Sequence, residues 1–110
     1  MPADTNPYGD IFGGWLMSMM DSAAGSVAAQ VSGGRAVTIA ADGMTFLRPV
    51  AVGDVVSVYA RLAQTGRSSM KIAVEAWRRQ RFQHESQKVT AATFTFVAID
   101  DEGKPRPVGG

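Results

Sequence analysis

The stretch IFGGWLMSMMDSAAGSVAAQVSGG, from Ile11 to Gly34, decides how this chain folds. Its apolar and small residues follow one another without the alternation of a strand. It closes on Gly33-Gly34, a pair that commonly ends a helix. The pattern predicts a helix from about Gly13 or Gly14 to Val31. Because nearly every side of that helix is apolar, a single sheet face does not cover it. The remaining surface is expected to meet a second copy of the chain, with Ala23, Ala24, Gly25, Ala28 and Ala29 small enough for close approach. A transmembrane span of this length is conceivable, but the glycines, the serines, Gln30 and the mid-segment Asp21 argue for a core helix instead. Asp21 is the one charged side chain of the stretch. Set among Met19, Met20, Ala23 and Ala24, it is expected to lose hydration, which raises a carboxyl pKa and prepares a general base. The alternative is a structural carboxylate held by an arginine or by backbone amides.

Outside the helix the chain reads as loops and strands. Met1 to Asp10, with Pro2, Asn6, Pro7 and Gly9, has loop chemistry. After the helix the period becomes two: Val37, Ile39 and Ala41 alternate with Thr38, Ala40 and Asp42 in a strand expected to run up to Pro49. Val50 to Gly53 turns, and Val56, Val58, Ala60 and Leu62 form one face of a second strand. Thr65-Gly66-Arg67-Ser68 is a hairpin signal. Met70, Ile72, Val74 and Ala76 line a third strand, opposite Lys71, Glu75 and Trp77. Gln83 to Gln87 turns the chain, Thr90 to Ala98 makes a fourth strand, and Asp100-Asp101-Glu102-Gly103 closes it. One helix followed by four strands on mostly short hairpins gives an α+β layout. It consists of a curved antiparallel sheet with the long helix on one face, and residues 1–110 are read as a single domain.

Composition narrows the function. Hydrophobic residues make up 45% and charged residues 19% of 110, which suits a folded protein with more apolar surface than its own core needs. Lys plus Arg number 11 and Asp plus Glu 10, so a net charge of +1 argues against a general nucleic-acid binder. The cations still cluster, at Arg78, Arg79 and Arg81 and again at Lys104 and Arg106. Cysteine is absent and His84 is the only histidine, and no metal-ligand spacing is present. The start Met-Pro-Ala-Asp-Thr-Asn has neither a basic nor an apolar signal region. A cytoplasmic protein without membrane segments is expected.

Several blocks together are recognisable. They are Asp4-Thr5-Asn6-Pro7-Tyr8-Gly9-Asp10-Ile11-Phe12-Gly13-Gly14-Trp15 followed by Met20-Asp21, then Asp42 to Pro49 and Val52 to Val56, then Thr65 to Ser69 and Gly103 to Pro107. The chain strongly resembles the hotdog-fold acyl-CoA thioesterases of the YciA-like type. The resemblance implies a curved antiparallel sheet wrapped around a long helix. It also implies hydrolysis of an acyl-CoA thioester by water, with Asp21 as catalytic carboxylate and coenzyme A as part of substrate and product rather than a cofactor. A homodimer is implied, assembling further to a hexamer as a trimer of dimers. Members of this family usually carry one more strand before the point where this chain begins; either a sheet edge is expected to stay unpaired, or the chain is a truncated version.

The physics of the motif stands beside the resemblance. Gly13-Gly14 at a helix start exposes backbone N–H groups, unobstructed by any Cβ, at the positive end of the helix dipole. That makes an oxyanion hole for a thioester carbonyl; otherwise the pair serves only a tight turn. Asp21 lies about eight residues further along, roughly 12 Å by helical rise. A reacting carbonyl sits about 3 Å from both its donors and its attacking group. If Gly14 and Asp21 act together, they therefore come from different subunits. Asp10 suits an N-cap, and Asn6 is a candidate to orient the water or the thioester. Arg67, with Ser68 and Ser69, matches a CoA phosphate at a hairpin tip, and Lys104 and Arg106 are further phosphate candidates. Hotdog dehydratases and hydratases need a histidine working with a carboxylate, and none lies in the helix, which weighs against dehydration or hydration. Asp21 is read as general base, or as nucleophile through a mixed anhydride. The rival readings are a non-catalytic acyl-CoA-binding module and a purely structural dimer.

Overall fold

The computed structural model describes residues 10–51 and 53–109, with the side chains of Asp10, Ile11 and Phe12 outside that description. Helix α1 spans Asp10–Ser32, and strands β1 (Ala36–Asp42), β2 (Val55–Thr65), β3 (Ser69–Arg79) and β4 (Ser86–Ala98) follow. The strands form one open antiparallel sheet in the order β1-β4-β3-β2. The helix packs on one sheet face and touches all four strands. The fold is the hotdog arrangement, as expected.

The helix starts earlier than the sequence suggests, at Asp10 rather than at the glycine pair. It ends as predicted. Gly33 takes φ 73 and donates its N–H to the Ala29 carbonyl at 2.9 Å, a left-handed cap that glycine adopts without strain. One stripe of α1, made of Leu16, Met20, Ala24 and Ala28, is fully buried. The spacing of four keeps those side chains on one face, one turn above another. They meet Met70, Ile72, Val74 and Ala76 of β3 and Ala92, Phe94, Phe96 and Ala98 of β4, all buried. Burying a side chain as large as Leu, Met or Phe contributes roughly 1.5–3 kcal/mol. The rest of the helix is not covered by its own sheet: Trp15 and Met17 remain 46% and 43% exposed.

Strand β1 ends at Asp42, not near Pro49. Gly43, at φ 80, turns the chain out of the sheet, and residues 43–51 run as a loop fastened to β4. The Leu47 N–H donates to the Val89 carbonyl at 2.7 Å, and the Thr90 hydroxyl donates to the Thr45 carbonyl at 2.7 Å. Asp54 closes the loop by accepting from the Ala51 N–H at 2.9 Å and pairing with Arg78 at 3.2 Å. Both side chains of that pair are largely withdrawn from solvent, 6% and 15% exposed. On the outer sheet face the Trp77 indole donates to Glu75 at 3.0 Å. Together with nearby Lys88 it holds that carboxyl below the usual range.

A shift in register divides β1. Ala36 pairs with Ala98 and Thr38 with Phe96, but Ala41, not Ala40, pairs with Phe94. Paired residues share a face, so Ala36 and Thr38 look toward the helix, Ile39 is the bulged residue, and Ala41 resumes the inward position. A bulge re-aims the side chains beside it.

Phe94→Ala is expected to lower stability by about 3–5 kcal/mol, because the ring is 2% exposed between helix and sheet. Urea unfolding at fixed protein concentration checks this: the midpoint should fall with an unchanged slope.

Candidate active site

Asp21 sits halfway along α1 on the flank facing β1, and its Oδ1 accepts a hydrogen bond from the Thr38 hydroxyl at 2.7 Å. Two elements fix this pair. The helix sets Asp21 next to the buried Met20, and the register of β1 aims Thr38 inward beside Phe96. A hydroxyl donating to a carboxylate fixes the carboxylate's orientation. Among the described residues no cation pairs with Asp21, so the arginine-held alternative finds no support there. Asp21 is only half-buried within its own chain, against the expectation of a fully desolvated carboxylate. The reason is that the apolar helix faces a partner on one side only.

The margin on which Asp21 lies is the uncovered one. β1 forms an outer edge of the sheet, and all its residues after Ala36 are exposed. Val37 and Ile39 are 42% and 59% exposed, and Trp15 and Met17 of the helix add to the same inventory of uncovered apolar groups.

Gly14 is exposed, with nothing within 4 Å of the position its Cβ would take, and a Cβ on Gly13 would touch the Phe46 ring at 3.8 Å. Because the helix starts at Asp10, the Gly14 amide is not an orphan of the helix end. A regular helix gives it the carbonyl of Asp10 four residues earlier. Within one chain Gly14 and Asp21 remain apart along the helix, roughly 10 Å by rise. Asp10 opens the helix, its side chain undescribed, and Asn6 lies outside the described residues.

The phosphate candidates gather at the other end of α1. The Arg67 carbonyl accepts from the Val108 N–H and the Ser68 carbonyl from the Ala98 N–H, each at 2.8 Å, so hairpin and C-terminal segment are tied together. The Arg67 side chain is exposed, and Ser68 and Ser69 are partly buried. Lys104 is exposed and lies 3.6 Å from Glu102. Arg106 is differently engaged. Its Nε donates to the Ile99 carbonyl at 2.9 Å and its Nη1 to the Ser32 carbonyl at 3.1 Å, so it satisfies the C-terminal end of the helix. Asp21 and this end are about eleven residues apart, roughly 16 Å, which suits an elongated ligand.

Thr38 is the site residue that sequence reasoning missed. Strict alternation groups it with Ala40 and Asp42, and the bulge that breaks this grouping leaves no mark in composition. The available signal is one polar residue beside an otherwise apolar inward register. His84 lies exposed on the β3–β4 connection, whereas Asp21 lies on α1. Among the described residues no group of three or more His, Asp or Glu side chains is placed to hold a metal ion. No described helix is long and apolar enough to cross a membrane.

Comparison with known proteins shows the family of the chain and its fold. Residues 8–82 match the model of the thioesterase superfamily. The acyl-CoA thioester hydrolase YciA of Escherichia coli K12 is 53% identical over 109 residues, which cover 96% of this chain and 83% of that protein. The hexameric thioesterase of Yersinia pestis superimposes with a TM-score of 0.84 at 55% identity, over 97% of this chain and 87% of that one. A hexameric broad-specificity acyl-coenzyme A thioesterase, solved as a mutant with one aspartate changed to alanine, superimposes with a TM-score of 0.86. It is 46% identical, over 98% of this chain and 80% of that one.

Replacing Arg106 tests whether its work is at the helix end. Arg106→Ala is expected to lower stability by about 1.5–3 kcal/mol, the scale of hydrogen bonds from a charged donor. Denaturant unfolding measures this, and a wild-type midpoint would show those contacts to be idle.

Proposed function

The chain belongs to the YciA-like acyl-CoA thioester hydrolases of the thioesterase superfamily, and from that starting point we propose that it hydrolyses acyl-CoA to a carboxylic acid and free coenzyme A. The whole chain acts as one domain in this reading, in a homodimer that assembles to a hexamer, as its relatives do. The observation that carries it is the one carboxylate between Ile11 and Gly34, held by Thr38 at the margin of an uncovered sheet edge.

The reaction follows from those positions. Thr38 occupies Oδ1, which leaves Oδ2 of Asp21 for a water molecule. Asp21 takes a proton from that water as its oxygen attacks the thioester carbonyl carbon. The oxyanion that forms is met by the Gly14 N–H and by the positive end of the helix, both from the second subunit. Collapse expels the thiolate of coenzyme A, and the proton held by Asp21 goes to sulfur. Gly13 gives the ligand room, Asn6 orients water or thioester, and Arg67, Ser68, Ser69 and Lys104 receive the CoA phosphates. Arg106 orders that end by holding the helix carbonyl. Thr38 is a positioning residue, since it touches Asp21 and not the substrate. Choosing an aspartate-to-alanine mutant of the hexameric relative for structural study fits an aspartate-dependent mechanism. A binding module without turnover would give Asp21 and its hydroxyl partner no task.

Release of free thiol from acetyl-CoA and butyryl-CoA tests the proposal. Asp21→Asn should keep fold and assembly while turnover falls at least about a hundredfold. Thr38→Val should lower kcat about tenfold or more with KM little changed, since misplacing a catalytic group is costly, and Thr38→Ser should recover most of the loss. Near-normal turnover in a folded Asp21→Asn protein removes Asp21 from the mechanism.

A further inference from the structure

The β3–β4 connection carries features that neither the fold nor the proposed reaction uses. Gln83 donates its N–H to the Gln80 carbonyl at 3.0 Å, closing a turn, and Phe82 within it takes φ 68. That position of a turn calls for glycine or asparagine, and a bulky side chain there is strained. Phe82 is the one non-glycine residue with positive φ among those described, and its ring is 87% exposed. Strain and exposure both disfavour phenylalanine for folding, and outliers of this kind concentrate at ligand clamps and functional sites.

What surrounds the ring indicates its ligand. The Arg81 guanidinium lies 5.6 Å from the ring centroid, in cation–π range. Beside the turn is a cavity of about 150 Å³ lined by Arg78, Gln80, Gln83, Glu85 and Gln87. Its walls offer amide donors and acceptors together with a carboxylate. Arg78 donates to Asp54 at 3.2 Å and to Gln87 at 2.8 Å, while its buried Nε has no acceptor among the described residues. Arg79 fastens the turn through the Gln83 carbonyl at 2.7 Å. Arg79 and Arg81 leave the hairpin positively charged, since Asp54 offsets Arg78 and only Glu85 opposes the rest. A simple anion makes no use of an aromatic face, and an apolar ligand makes no use of the amides. A flat ring with hydrogen-bonding edges and an attached negative group uses all three.

We propose that the β3–β4 hairpin binds a purine nucleotide. The base stacks on Phe82, its edge meets the amides of the cavity, and its phosphate meets Arg81 and Arg79. The nucleotide is either the nucleotide end of acyl-CoA, in which case the proposal rests on the hydrolysis proposed above and moves the CoA phosphates from the Arg67 turn to this hairpin, or a free nucleotide. Arg67 stands at the opposite end of β3, so competition separates the two sources.

The test is equilibrium dialysis of adenosine 3′,5′-bisphosphate against the intact assembled protein. The wild type should bind it. Phe82→Gly should weaken binding about tenfold or more, the scale of one lost base stack, while the melting temperature does not fall, because glycine adopts this φ without strain. Arg81→Ala should weaken binding as well. Displacement by acyl-CoA assigns the site to the substrate, and binding that persists under saturating acyl-CoA assigns it to a free nucleotide; both place a nucleotide on the hairpin. Asp21→Asn should bind like the wild type whatever its turnover, so failure of the proposed reaction is read separately. The proposal is overturned if the wild type does not bind or if both hairpin variants bind undiminished. It is overturned too if Phe82→Gly breaks the assembly without changing affinity, which would make the ring a contact between copies.

Discussion

One constraint governs this molecule: an apolar helix has a single four-residue stripe covered by its own sheet. Leu16, Met20, Ala24 and Ala28 are sealed against β3 and β4, and this seam holds the layers together. The flank beside the seam, with Met17 and the exposed edge strand β1, still lacks a cover, and Trp15 is exposed on the seam's other side. Apolar surface of this kind marks an interaction site more often than chance exposure. Asp21 lies where covered and uncovered faces meet. Its environment is therefore half built by its own chain, through Thr38, and a second chain would supply the remaining desolvation.

The ends of the helix divide the other tasks. Near the N-terminus, the space beside Gly14 where a side chain would stand is open among the described residues. Toward the C-terminus, Arg106 ties the Ser32 and Ile99 carbonyls together, and the segment it anchors braces the Arg67 turn through Val108. A thioester at the middle and a charged nucleotide toward one end fit this polarity, and so does a ligand lying between two subunits.

Much of this was legible in the sequence for physical reasons. The run from Ile11 to Gly34 announces a helix by its length and its glycine stop. Met70 to Ala76 announces a strand by strict alternation, and the solitary charge at Asp21 points to a site. What stayed hidden depends on contacts between distant residues. Strand β1 stops at Asp42 because Thr45 and Leu47 bond to β4 as a loop, which alternation up to Pro49 does not reveal. Thr38 turns inward because the register slips at Ile39. The helix begins at Asp10, ahead of the glycines, so the Gly14 amide is not an orphan of the helix end. Arg106 resembled a phosphate ligand by charge, yet its Nε and Nη1 are engaged by carbonyls far away in sequence.

The central claim is that each site is completed by a second chain, and complementation tests it most directly. An Asp21→Asn chain and a Gly14→Val chain, each inactive alone, are refolded together. Among the described residues, a Cβ at position 14 meets nothing within 4 Å beyond its own helical turns, so a folded variant is expected. In a mixed dimer one site carries both defects and the other carries neither. The account predicts that activity returns, approaching half the rate of a wild-type dimer in the mixed species. Mixed dimers that form, as a mass tag on one chain can establish, and yet stay as inactive as either parent would contradict it.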